Sequence, residues 1–382
     1  MSADSVSTSR GAGFRYGDLQ VWLDAPPSHL AWLEEFLTPN FTVRSGGTAA
    51  CRVSLREDDA AFDATHARGP QHPAVDLECF ALDSKVIRLP AWNASEGGTT
   101  VFDPKFDVFL SMNTDHRTIT VLTRCGNLGA RQATMRVVRE LAMNHTQAAG
   151  GLFLHASALA INGCGMIIAG KRAAGKTTLL MHLLRHPSAR YVTNDRALVC
   201  FDGVPPTLRG MPTVVTLRPR TLEMLPGASE VLLASGYHAR LTLTEAAQRP
   251  PGSIEPWRDK RYGITPAQFR AVLGVQAIAE SPLAVLVFPR ITGEPGMVHI
   301  AALDPAVAAE RLRVALFGAG SWRKHSDVLT VPGDPPLPDE AALAGLCARL
   351  TAQVRCVECA LGLNAYERHE LAGEMLDQLL AA

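Results

Sequence analysis

Residues 166–184 read Met-Ile-Ile-Ala-Gly-Lys-Arg-Ala-Ala-Gly-Lys-Thr-Thr-Leu-Leu-Met-His-Leu-Leu. Within this stretch Gly170-Lys171-Arg172-Ala173-Ala174-Gly175-Lys176-Thr177 matches G-x-x-x-x-G-K-[ST] at every fixed position. The apolar run before it predicts a buried strand and the run from Thr178 to Leu184 predicts a helix, the setting the motif requires. Gly170 and Gly175 let a loop turn its backbone N–H groups toward phosphate oxygens, and the helix N-terminus favours an anion there. Lys176 can reach the β- and γ-phosphates, and the Thr177 hydroxyl can ligate Mg²⁺. The expected cofactors are therefore ATP and Mg²⁺. Gly170, Lys171, Arg172, Ala173, Ala174, Gly175, Lys176, Thr177 and Thr178 form the expected nucleotide site.

Upstream, Leu152 to Ile161 reads as a strand that turns at Asn162-Gly163 into the strand before the loop. His155 lies on it, 21 residues before Lys176. Its distance from the loop depends on the hairpin register, which the sequence leaves open. Downstream, the strand Tyr191-Val192-Thr193 leads into Asn194-Asp195, 18 and 19 residues after Lys176. That spacing suits loop, helix, return and next strand. A carboxylate at the C-terminal end of such a strand lies where ligands bind in open α/β sheets. Asp195 can there hold Mg²⁺ or orient an attacking hydroxyl. Each residue also has a plainer reading, Asn-Asp as a turn and His155 as a core histidine.

The block from His155 to Val199 resembles the catalytic core of HPr serine kinase/phosphorylase, and more closely the wider group of HPr kinase-like P-loop kinases. Weaker likeness continues through Pro206–Gly210 and Val215–Pro219. The resemblance implies an α/β fold with a mixed sheet, related to the phosphoenolpyruvate carboxykinase nucleotide-binding core. It implies Lys176 and Thr177 as the ATP–Mg²⁺ pair and His155 in the active site. Asp195 becomes the second acid of an Asp-Asp pair, serving as general base or metal ligand. The first acid is Asn194 here. Its carbonyl oxygen can bind, but it cannot take a proton, so Asp195 must supply the base, assisted by His155. The implied activity is transfer of the γ-phosphoryl group to a serine- or threonine-type hydroxyl of a protein, peptide or small molecule. A natural-product precursor peptide is one such acceptor. Two alternatives are a nucleotide-binding regulatory module without transfer, and a ligase or transferase that activates a carboxylate.

Charge fits a small anionic ligand. The chain has 37 Lys+Arg and 37 Asp+Glu, which argues against a nucleic-acid partner. Residues 204–270 nevertheless hold 9 Lys+Arg against 5 Asp+Glu, and residues 1–130 hold 11 against 16. In the basic segment, Arg258, Lys260 and Arg261 are candidate lid cations that close over the γ-phosphate.

The 382 residues predict two or three domains. Residues 1–13 are expected as a disordered tail and 14–148 as a mostly antiparallel α+β domain of open role. The P-loop catalytic domain is expected over 149–300, and a helix-rich C-terminal extension or subdomain over 301–382. Pro250 to Gly263 is a candidate mobile loop. The most apolar stretch, Gly151 to Gly170, is broken by His155, Ser157, Asn162 and glycines, so two strands explain it better than a membrane span. No apolar signal-peptide run is seen in Met1 to Gly13, and the eight cysteines are scattered. Both point to a reducing, cytoplasmic setting. Cys356 and Cys359 form a lone C-x-x-C, read as packing because no second pair completes a zinc site. Self-association as a homo-oligomer is compatible with the sequence.

Overall fold

The computed structural model describes residues 10–69, 72–77, 87–93, 98–115, 117–171, 174–217, 262–317, 329–362, 368 and 371–380. Helices and strands are both present and both large sheets are mixed, so the chain is α/β. The described residues fall into two compact units, 10–145 with 329–336 and 146–317 with 337–380. Among the described residues no helix is long and apolar enough to cross a membrane.

The first unit opens with β1 (Arg10–Tyr16), β2 (Leu19–Ala25), α1 (Pro27–Leu37), β3 (Thr42–Arg44), β4 (Cys51–Glu57) and α2 (Asp59–Ala67). It continues with β5 (His72–Leu77), β6 (Ile87–Asn93), β7 (Thr99–Asp103), β8 (Val108–Met112) and β9 (Thr118–Thr123), then α3 (Gly129–Ala148), within which the units divide. Nine strands form one sheet in the order β3-β1-β2-β4-β9-β8-β7-β6-β5. The pairs β2/β4 and β4/β9 are parallel and the rest antiparallel. Period-two patterning makes these strands two-faced. On one face Val21, Leu23, Val53, Leu55, Ile119 and Val121 are buried. On the other, Leu122 and Phe109 pack under Phe62 of α2. Strand β1 corrects the expected tail, because residues 10–13 pair with 22–25 of β2. The polar reading missed this because two of those four residues are glycines chosen for close approach. A Cβ on Gly11 would lie 2.6 Å from the Trp22 ring.

The second unit holds β10 (Leu152–Ile161), β11 (Cys164–Ala169), α4 (Lys176–Leu183), β12 (Ala189–Thr193), β13 (Arg196–Cys200), β14 (Thr207–Gly210) and β15 (Val215–Leu217). Next come β16 (Tyr262–Ile264), α5 (Pro266–Leu273), β17 (Glu280–Ile291), β18 (Val298–Ala302) and α6 (Pro305–Arg313). The last elements are α7 (Glu340–Gln353), β19 (Arg355–Leu361) and α8 (Leu371–Leu380). The long strands β10 and β17 each bridge two sets of partners. Hydrogen bonding therefore returns on itself through β10–β13–β14–β17–β11. The pairs β11/β17 and β17/β19 are parallel. Ala, Leu and Val from these strands pack with Leu312 of α6 and Leu343 and Leu350 of α7. The predicted Asn162-Gly163 turn forms, with positive φ at both residues (50° and 80°), the backbone of a type I′ hairpin. The segment expected as a C-terminal extension divides: residues 329–336 group with the first unit, while β18 and β19 complete the sheet beside β17.

Cys356 and Cys359 both lie on β19. Residues three apart on a strand point to opposite faces, so the two thiols cannot share a metal or a disulfide. Burial raises their pKa values, to about 11 for Cys356 and about 12 for Cys359. Both are then protonated at pH 8. Iodoacetamide at that pH is expected to leave them unmodified in the native chain and to label both after denaturation, read by peptide mass spectrometry. Labelling of either in the native chain would contradict this packing.

Candidate functional site

Strand β11 ends at Ala169, and α4 begins at Lys176 directly after the loop. Gly175 takes a left-handed φ of 94° at the helix N-cap. Lys176 is nearly buried, and its Nζ donates to the carbonyl oxygens of Gly170 (2.9 Å) and Lys171 (3.1 Å). The amine thus sits inside the curl of the loop. Thr177 and Thr178 follow in the first helical turn, both half-buried, and Lys171 is exposed. The backbone of Ala174 closes the loop by donating to the Lys171 carbonyl at 3.2 Å. Arg172 and Ala173 lie outside the described residues, as do Arg258, Lys260, Arg261 and nearly all of the Pro250–Gly263 segment.

Register decides what stands beside the loop. Ala156 pairs with Ala169 across the hairpin, which carries His155 to the level of Gly170. On the other side of β10, Ala158 pairs with Thr193 and His155 with Arg196. The Ala156 N–H donates to the Asp195 carbonyl at 3.1 Å, and the Ser157 hydroxyl to the Asn194 carbonyl at 2.5 Å. Asn194-Asp195 is therefore a bend within a nearly continuous strand, not a reversing turn. Strands β11 and β12 both run antiparallel to β10, so they run the same way and end at the same edge. Asp195 then lies two strand spacings from the end of β11, about 10 Å.

His155 and Asp195 meet there: Nδ1 stands 3.3 Å from Oδ1. Both side chains are part-exposed (26% and 38%), so the pair is open to a ligand. Arg196, which the sequence reading passed over, places its Nε 3.8 Å from Asp195 Oδ2. Its guanidinium lies 5.8 Å from the Phe153 ring centre and 5.7 Å from that of Phe317. The segment ending at Phe317 flanks the other side of β10, where the His155 N–H donates to the Ala315 carbonyl at 2.7 Å. Arg196 directly follows Asp195 and could have been found from that adjacency. The role of Phe317, 162 residues beyond His155, has no local signal.

Asn194 is buried (7% exposed), and its side-chain oxygen has no hydrogen-bond partner among the described residues. A buried carbonyl oxygen left unpaired costs about 1–3 kcal/mol, so an orphan of this kind calls for a partner. Among the described residues no three His, Cys, Asp or Glu side chains gather into a metal site. The oxygens of Asn194, Asp195 and Thr177 are nonetheless hard donors, the type Mg²⁺ takes together with substrate phosphates. A scan against protein-family models finds no match to this chain, and a search of curated proteins finds none either.

The loop's shape also depends on its second glycine. A Cβ at Gly175 would lie 2.8 Å from Ile291 Cδ1, in addition to the strain of positive φ. Gly175→Ala is expected to cost about 1–2 kcal/mol and to lower the thermal midpoint of the chain. An unchanged midpoint would show that the loop relaxes freely.

Proposed function

We propose that the second unit is an ATP- and Mg²⁺-dependent phosphotransferase with an HPr kinase-like P-loop core. It moves the γ-phosphoryl group to a hydroxyl on a protein, peptide or small molecule. The observation that carries this reading is the convergence of a Lys176-centred loop and the His155–Asp195 pair at one end of one sheet. Phosphoryl transfer needs positioning and charge stabilisation more than covalent chemistry, and these residues supply both.

On this reading the loop N–H groups bind the phosphates, and Lys176 exchanges its two carbonyl partners for phosphate oxygens. Thr177, Asn194 and Asp195 offer oxygens to Mg²⁺, which when bound offsets charge on the phosphoryl oxygens. Asp195 accepts the acceptor's hydroxyl proton as the new O–P bond forms and the bond to the ADP oxygen breaks. His155 orients that carboxylate through the Nδ1–Oδ1 contact, and Arg196 holds its other oxygen. A second reading, nucleotide-dependent regulation without transfer, is favoured by one residue, the amide Asn194 in place of an acid.

The test is incubation of the full chain with [γ-³²P]ATP, Mg²⁺ and a library of serine- and threonine-containing peptides and small alcohols. Label that resists hydroxylamine is the expected result. Hydroxylamine-labile label indicates an acyl phosphate, hence carboxylate activation. ATP binding without label transfer or ADP release favours the regulatory module.

A further inference from the structure

A cavity of about 500 Å³ opens in the first unit, and none of the residues assigned above lines it. Its lining includes Trp22, Gly46, Gly47, Arg52, Arg117 and Thr118. That volume is within the range of sites for small organic ligands. We propose that it binds a small aromatic oxyanion, a planar ring carrying a carboxylate or a phosphate.

The argument starts from register. Gly13 pairs with Trp22, Trp22 with Arg52, and Arg52 with Thr118, so one transverse row crosses β1, β2, β4 and β9. Cross-strand partners share a face, so Trp22, Arg52 and Thr118 face the same way. Apart from Leu122, the buried apolar residues of these strands occupy the opposite face. Further along the polar face, Phe62 of α2 covers Leu122 and Phe109, but the row at Trp22 is only half-buried.

Each wall of the cavity has a recognisable use. The Trp22 indole is fixed: its Nε1 donates to Asp24 Oδ1 at 2.9 Å, and it lies over Gly11, where any Cβ would collide with it. A half-exposed indole held in one orientation offers a flat surface for a planar ring. Arg52 Nε lies 3.5 Å from Asp24 Oδ2, and the Arg52 side chain is 61% exposed. The Arg117 guanidinium has no hydrogen-bond or ion-pair partner among the described residues, since its bond to Asp115 uses the backbone N–H. Two arginines lining one cavity with an aromatic residue suit an oxyanion, which guanidinium groups bind in fork geometry. Charge makes the placement specific. Residues 1–130 are net acidic, with 16 Asp+Glu against 11 Lys+Arg, yet two arginines line this cavity and Arg44 stands in the same row across Gly13.

Isothermal titration of the full chain with benzoate and with phenyl phosphate tests the proposal. Benzamide serves as the uncharged planar control and cyclohexanecarboxylate as the non-planar anion. At least one aromatic anion is expected to bind saturably with a Kd of about 1 mM or tighter. The tighter of the two identifies the oxyanion. Benzamide is expected to bind at least tenfold more weakly, and cyclohexanecarboxylate weaker than benzoate. Arg117→Met and Arg52→Met, both at exposed positions, should each weaken binding about tenfold or more, and Trp22→Ala should remove the preference for planarity. Lys176→Met should leave the affinity unchanged, which separates this site from the nucleotide loop. No saturable binding by either aromatic anion, or equal affinity in wild type and Arg117→Met, overturns the proposal.

Discussion

Lys176→Met is expected to abolish ATP turnover by the full chain, lowering it at least 10²-fold, with the fold intact. The side chain is 9% exposed and its amine is held by the Gly170 and Lys171 carbonyls at 2.9 and 3.1 Å. Those bonds hold a positive charge inside the loop, and on the proposed reading phosphate oxygens replace the two carbonyls around it. A preorganised donor aimed at developing charge in a water-poor site contributes about 3–4 kcal/mol, or 10²–10³ in rate. Methionine keeps the aliphatic stem that packs in the loop and removes only the charged end. Its thermal midpoint should therefore stay near wild type, while ADP release and calorimetric ATP binding both fall. A variant that turned over ATP at the wild-type rate would sink the nucleotide assignment for this loop.

The strand–loop–helix around Lys176 was legible because glycine, lysine and threonine there answer to local chemistry, and apolar runs of opposite period flank them. The Asn162-Gly163 hairpin was legible for the same reason: few residue pairs adopt positive φ twice in succession. Register was not legible. Whether His155 stands beside Gly170 depends on a hydrogen-bonding pattern shared between β10, β11 and β13, and no single strand encodes it. The bend at Asn194-Asp195 was hidden likewise, since a turn and a bulged strand draw on the same polar residues. Short elements that owe their existence to a partner, such as β16 against β15, were missed entirely. Strand β1 was misread because its glycines carry no hydrophobic signal, Gly11 being there to make room for Trp22. Contacts of long sequence separation, such as Phe317 stacking on Phe153 with ring centres 4.2 Å apart, exist only after the fold is complete.

Asp195→Asn and Asn194→Asp probe the chemistry of the bend from opposite sides. Asp195→Asn preserves the size of the side chain and its contact with His155 but removes the site that accepts a proton. Phosphoryl transfer should fall by about 10²-fold or more, the range for loss of a general base, while ATP affinity stays within about tenfold. An equal loss of affinity and rate would make Asp195 chiefly a Mg²⁺ ligand. The neighbouring test turns on the Asn194 oxygen, which is buried and has no hydrogen-bond partner among the described residues. If Mg²⁺ takes that oxygen, Asn194→Asp adds a full charge to the same ligand and should tighten Mg²⁺ dependence. Without the metal, the same substitution places a carboxylate at a buried position one residue from Asp195 and should lower the thermal midpoint, because an unpaired buried charge is costly. The signature expected is therefore conditional: Asn194→Asp destabilised in EDTA and restored by Mg²⁺, with wild type insensitive to the exchange. A midpoint that falls equally in both conditions would show that the Asn194 oxygen faces no cation site, and the donor set for Mg²⁺ would shrink to Thr177 and Asp195.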